Sequence, residues 1–338
     1  MIGPRAFAAA AVATLFLTPV ALILWMTAVP GQSHQGPLPP LPPQDTPLTA
    51  ALERDVRAIA SEPHNADHPE ALERAARHIE TALAAASYQP LAQPFTAAGQ
   101  TVRNIEAVIE PRPGGGARTL VVGAHYDSWG IAPGANDNGT GTAAVLALAR
   151  RLADLRGKTS LRIRLVLFVN EEPPFFKTQA MGSLIYARRL AASKEPVLGM
   201  LSLETLGFYS DLPNSQHYPP PLGMLYPTTG DFVAFVGLTS SRAFVRRTVR
   251  DFRIHAAFPS VGGTAPGFVQ GIDWSDHWSF AQVGIPALML TDTAPFRYPH
   301  YHSVGDTPDK VDYRSLARVT AGLEWVVRAW ASNPAAVE

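Results

Sequence analysis

The chain has 338 residues, 46% of them apolar, with 28 basic and 28 acidic side chains and no cysteine. A formal net charge of zero and the lack of a Lys/Arg-rich block argue against a nucleic-acid partner, and without thiols there is neither a disulfide nor a thiolate metal ligand. The length permits two ordinary domains but fits one large α/β domain equally well.

From Ala6 to Val29 no residue is charged, and at about 1.5 Å rise per residue such a stretch crosses a hydrocarbon core of roughly 30 Å. Arg5 precedes it and no Lys or Arg follows until Arg54, so the positive-inside rule leaves the N-terminus in the cytoplasm and exports the rest, to the periplasmic or extracellular side. The competing reading is a cleaved signal peptide, which would make the protein secreted. Its apolar core is usually about 7–15 residues and ends in a small-x-small site, which Met26-Thr27-Ala28 matches poorly, so a retained membrane anchor over residues 1–30 is favoured. Residues 31–47 are proline-rich, including Pro37-Leu38-Pro39-Pro40-Leu41-Pro42-Pro43, and read as an extended, semi-rigid linker that holds the folded part off the membrane. On this reading the anchor only localises the protein, and a chain starting near Pro47 keeps its full activity.

Leu48–Ala60 and Pro69–Ala85 carry apolar residues at helical spacing. Strand-like runs follow at Asn104–Ile109, Thr119–Gly123, Leu161–Val169, Met200–Leu203 and Ala287–Leu290. Helical patterns lie between several of them, at Thr140–Leu155, Gly182–Ala192 and Arg242–Phe252, and Tyr313–Ala331 reads as a closing helix. This alternation predicts a single α/β domain over residues 48–338, with a mostly parallel mixed sheet covered by helices on both faces. Leu206–Gly230 and Ser260–Gly271, rich in glycine and proline, read as irregular loops, each either a binding loop or a plain surface insertion.

The chemistry sits just after the apolar runs, where an open α/β sheet collects its ligands. Thr119–Gly123 leads into His125-Tyr126-Asp127. Residues two apart on an extended chain share a side, so Asp127 can accept one imidazole N–H of His125 and leave the other nitrogen for a metal. Asp137 lies in the glycine-rich turn Gly134–Gly141 before a helical pattern, either as a metal ligand or as a helix cap, a role open also to Asn138 or Thr140. Glu171-Glu172 follows Leu165-Val166-Leu167-Phe168-Val169. Two adjacent carboxylates at a buried strand end call for a cation or a shared proton, and the pair suits hydrolysis, one Glu on a metal and the other taking a proton from water. Imidazole and carboxylates without thiols make a ligand set for Zn²⁺ or a similar borderline divalent ion. The residues therefore read as a metallohydrolase.

The ordered set His125-Tyr126-Asp127, Gly134-Ala135-Asn136-Asp137-Asn138-Gly139-Thr140-Gly141, Asn170-Glu171-Glu172, Tyr301-His302-Ser303 and Asp306-Thr307-Pro308-Asp309-Lys310 resembles the M28 family of zinc peptidases. That family comprises two-zinc aminopeptidases and relatives that include the glutaminyl cyclases. The resemblance implies the zinc aminopeptidase, phosphorylase/hydrolase-like fold and two zinc ions per chain. His125 and Glu204 would hold one, His302 and Glu172 the other, with Asp137 bridging them, Glu171 as general base and Asp127 as orienter. Position 204 is usually Asp in the family, so Glu204 departs by one methylene. Tyr301 either donates to the tetrahedral intermediate or only packs. Ser275-Asp276-His277 resembles a cleft-lining segment and is read as structural, and His300 is placed outside the ligand set. The implied activity is that of an exopeptidase on peptides with a free N-terminus. The alternatives are a one-zinc glutaminyl cyclase, whose close relatives lack the Asn-Asp-Asn-Gly-Thr-Gly loop, and a catalytically inactive ectodomain used as a binding module, which would have lost ligands.

Overall fold

Thr119–His125 is buried at every position, the mark of a central strand with helices on both faces. In the computed structural model, which describes residues 17–114, 118–220 and 222–332, it is the third of eight strands. These are β1 (Leu91–Ala97), β2 (Gln100–Ile109), β3 (Thr119–His125), β4 (Arg162–Phe168), β5 (Val197–Glu204), β6 (Val233–Leu238), β7 (Ser260–Ala265) and β8 (Ala287–Thr291). They form one sheet in the order β1-β2-β4-β3-β5-β8-β6-β7. The centre β4-β3-β5-β8 is parallel throughout. Antiparallel pairs join β1 to β2, β2 to β4 and β8 to β6, and β7 runs parallel to β6 at the far edge.

The helices that cover the sheet are α1 (Thr46–Ile59), α2 (Pro69–Ala85), α3 (Thr140–Arg151), α4 (Gly182–Ala192), α5 (Arg242–His255), α6 (His277–Gln282) and α7 (Tyr313–Ser332). Five of them fill the larger core, with Val56, Ile79, Leu148, Phe252 and Trp330 enclosed from α1, α2, α3, α5 and α7. On the opposite face α4 and α6 pack Tyr186, Leu190 and Phe280 against Phe168 and Val121. Both faces of the sheet are therefore covered, as the alternation predicts.

Three differences from the sequence reading have physical causes. β1, β6 and β7 are strands that the apolar-run criterion passed over. β7 lies inside the expected loop Ser260–Gly271, and its Gly262-Gly263 pair carries no side chains to signal a strand. Second, α1 begins at Thr46 rather than Leu48, so helix starts inside the expected linker. Third, the proline-rich stretch is packed against the domain instead of standing free: Arg318 donates to Pro39 O, Arg151 to the Asp45 carboxylate at 2.8 Å, and Arg253 to Gly31 O at 2.7 Å.

Residues 17–27 are helical, with Leu17, Val20, Leu22 and Leu24 about half exposed or more. Among the described residues no helix is long and apolar enough to cross a membrane. Residues 1–16 of the expected anchor lie outside the described residues.

Candidate metal centre

The parallel strands end at one edge, and each delivers a side chain there. β3 ends on His125, β5 ends on Glu204, and β4 leads into Glu171 and Glu172. The turn Ala135–Gly139 brings Asp137 over this edge, and the loop after the short helix Ala294–Arg297 brings His302. Asp137 lies between two pairs. Its Oδ1 is 3.5 Å from His125 Nε2, which is 3.3 Å from Glu204 Oε1; its Oδ2 is 3.2 Å from His302 Nε2, which is 3.4 Å from Glu172 Oε1. Atoms of His125, Asp137 and Glu172 all lie within 4.8 Å of one another. All the expected ligands are thus gathered in one place.

The turn that carries Asp137 is pinned from below. Asp306, fully buried, accepts the amides of Asn136 at 2.8 Å and Asp137 at 3.0 Å and the Tyr298 hydroxyl at 3.0 Å. Asn138 Oδ1 accepts the Gly141 amide at 3.0 Å in the first turn of α3, while its Nδ2 donates to Leu203 O at 2.8 Å on β5. A Cβ on Gly141 would stand 2.3 Å from Leu203 O, so the approach of α3 to β5 requires glycine there.

His125 Nδ1 faces the Asp127 main-chain carbonyl at 3.0 Å. A carbonyl only accepts, so Nδ1 donates to it and Nε2 is the nitrogen turned toward the carboxylates. The Asp127 side chain is not the imidazole's direct partner as expected: its Oδ1 is 3.7 Å from Nδ1. Both of its oxygens accept amides instead, Glu171 N and Glu172 N at 3.1 Å each. Asp127 therefore orients the acidic pair through the backbone.

His302 has φ +53°, left-handed backbone uncommon outside glycine. Its ring stacks on Tyr301 at 3.8 Å and on Trp129 at 4.9 Å, within 16° and 11° of parallel. The sandwich fixes the imidazole plane, and Trp129 carried no sign of that role in the sequence. Ser275 donates to Glu204 Oε2 at 2.7 Å, and His277 bonds Ile272 O at 2.8 Å. Asp276 between them is buried with neither oxygen bonded, and burial raises its carboxyl to about 7. His300 lies outside the cluster, edge-on to Tyr298.

The electrostatics of the cluster are those of acids crowded together out of water. Burial, then the negative charge of Asp137, pushes Glu172 up to about 8. Burial likewise lifts Glu204 to about 7, against the pull of His125, and burial with the Glu172 and Glu204 charges lifts Glu171 well above the carboxylate range. His302 is raised to about 10, because the Asp137 and Glu172 carboxylates facing it outweigh its burial. Glu172 Oε1 is buried without a hydrogen-bond donor. A nitrogen and oxygen donor set with surplus negative charge and an orphaned carboxylate oxygen fits a borderline divalent cation.

A sequence profile of peptidase family M28 matches residues 104–326, a span that runs from β2 through every one of these ligands. The chain belongs to peptidase family M28. An Escherichia coli K12 protein described as uncharacterized protein YfbL is 35% identical over 91% of this chain and 94% of its own length. Leucine aminopeptidase 1 of Arthroderma otae is 28% identical over 65% of this chain, which spans 56% of that protein's length. In fold, this M28 chain is similar to an aminopeptidase from Aneurinibacillus sp. strain AM-1, with TM-score 0.62 and 18% identity over 84% of this chain and 93% of that one. It is equally similar to the Fimbriiglobus ruber glutaminyl cyclase, with TM-score 0.62 and 19% identity over 88% and 99%. The fold is common to both activities. Family membership and the aminopeptidase relatives make the chain a hydrolase of the peptidase type.

The M28 centre lies in a cleft walled by Pro173, Phe176 and Trp274, and Glu204, Trp274 and Tyr301 also line a neighbouring apolar pocket.

Proposed function

We propose that the protein is an aminopeptidase that hydrolyses N-terminal peptide bonds with two divalent ions, zinc by donor type. His125 and Glu204 hold one, His302 and Glu172 the other, and Asp137 serves both. The observation that carries this reading is the placement of Asp137, each of whose oxygens faces its own His–Glu pair at 3.5 and 3.2 Å. Ions so held supply Lewis acidity to the scissile carbonyl and make water a nucleophile at neutral pH. Glu171 lies 3.8 Å from His125 Nε2 and is left out of the ligand set. Its carboxylate takes a proton from the attacking water and passes it to the leaving amine. Burial raises the affinity of Glu171 for that proton. Asp127 keeps Glu171 and Glu172 in register, and Tyr301 donates to the developing oxyanion.

Full-length protein is expected to bind close to two zinc ions and to release amino acids from peptides with a free N-terminus, while acetylated peptides resist. One bound zinc together with conversion of N-terminal glutamine to pyroglutamate, without amino-acid release, would replace this reading with a glutaminyl cyclase.

We also propose that the residues ahead of Trp25 anchor the protein in a membrane with the catalytic domain on the periplasmic or extracellular side, on the strength of the uncharged stretch that begins at Ala6 behind Arg5; residues 25–30, the end of the expected anchor, pack on the domain instead. Protease added outside the cytoplasmic membrane is expected to digest the domain. Complete protection of the domain there rejects this orientation.

A further inference from the structure

The apolar pocket beside the metal centre does not end within the M28 domain. Glu204 and Tyr301 stand at one end of it, and at the other Val261, Gly262 and Gly263 of β7 meet Thr27 from the N-terminal segment. In the order β5-β8-β6-β7, the strand bearing Glu204 lies three spacings from β7. At about 4.8 Å per spacing the pocket runs roughly 14 Å away from the centre, farther than a leucine side chain reaches. Its walls include the aromatic side chains of Tyr218, Tyr226, Phe232 and Phe296.

The segment that closes the far end is bonded in place. Met26 O accepts from the Thr264 hydroxyl at 3.3 Å, and Ser33 Oγ accepts the Ser260 amide at 2.8 Å. α5 holds the same segment with three arginines. Arg242 donates to Trp25 O at 2.8 Å with its guanidinium 4.1 Å over the indole, Arg246 donates to Ala28 O, and Arg253 donates to Pro30 O and Gly31 O at 3.0 and 2.7 Å. The two glycines of β7 face this segment. A Cβ on Gly263 would stand 2.4 Å from the Tyr226 hydroxyl and 3.5 Å from Thr27 Cα, and one on Gly262 would stand 3.3 Å from Val29 Cγ1.

We propose that residues 25–33 are part of the substrate-binding site, with Thr27 as the end wall of a pocket that admits a long apolar N-terminal side chain. The segment sets how long that side chain can be. The identity of the ligand rests on the aminopeptidase reading; the wall rests on the contacts alone.

The test compares the full chain with Thr27→Trp and with the double variant Arg246→Ala/Arg253→Ala, on peptides beginning with alanine, leucine or para-phenylphenylalanine. A bulky residue at 27 is expected to lower the kcat/KM ratio of para-phenylphenylalanine over alanine peptides by about tenfold or more, the scale on which apolar pockets discriminate. The double variant is expected to lower the same ratio while hydrogen exchange rises across residues 25–33. An unchanged ratio in Thr27→Trp, or in a double variant whose segment exchanges faster, overturns the proposal. Fluorescence binding of the apolar dye N-phenylnaphthylamine gives a readout free of catalysis. Weaker binding in Thr27→Trp supports the wall even if no peptide is cleaved, in which case only the aminopeptidase reading falls; equal binding in both proteins removes the wall.

Discussion

Glu171→Gln is expected to cut peptide hydrolysis by about 10²–10⁴-fold, the usual contribution of a general base, while bound metal stays near the wild-type amount. The substitution preserves shape and the main-chain bond from Glu171 N to Asp127, and removes only the ability to accept a proton. Glu172→Gln is the matched comparison, because its amide sits on the other oxygen of Asp127 and its side chain faces His302 and Asp137. It is expected to lose metal as well as activity. Released amino acid measures the first effect and atomic absorption the second; similar metal loss in both variants would refute the division of roles between the two glutamates.

Loss of the shared carboxylate is the second large effect. Because Asp137 faces both His–Glu pairs, Asp137→Ala is expected to abolish tight binding of both ions and with it nearly all turnover, whereas His302→Ala removes one partner of a single pair. Stability gives an independent readout. A ligand at about 100 times its Kd stabilises the folded state by about 2.7 kcal/mol, which for a domain of this size raises Tm by roughly 5 °C. Zinc added to the stripped wild-type protein should produce such a rise, and zinc added to Asp137→Ala should not. An Asp137→Ala protein that still binds two ions would show that the carboxylate bridges nothing.

Part of the centre was legible in the sequence because His125, Glu171 and Glu172 follow apolar runs, and strand ends in a parallel sheet converge on one edge whatever the loops do. Glu204 and His302 came only from the resemblance to the family. What the sequence concealed depends on packing between distant segments. Asp306 anchors the turn of Asp137 across 169 residues, and nothing local marks it as buried. Trp129 reads as an ordinary loop aromatic until His302 is laid against it. The expected role of Asp127 followed from period-two geometry, yet the amides of β4's continuation lie closer to its oxygens than the imidazole does. β7 was missed because glycines carry no periodicity. The same glycines face the N-terminal segment, and on the proposal above a chain beginning near Pro47 is expected to lose its selectivity for long side chains, whereas on the reading of the segment as an anchor alone it keeps full activity.

The separation of the ligands along the chain has a further consequence for a protein without a single thiol. His125 meets Glu204 across 79 residues, and Asp137 meets a histidine on the closing loop near the C-terminal helix. Coordination that ties such segments together closes long loops of the unfolded chain, the task that disulfides perform elsewhere. Its strength follows metal supply instead of redox poise. With metal bound as proposed, the fold would be stapled equally well in a reducing or an oxidising compartment, and a chelator would act on it as a reductant acts on a disulfide-bonded domain.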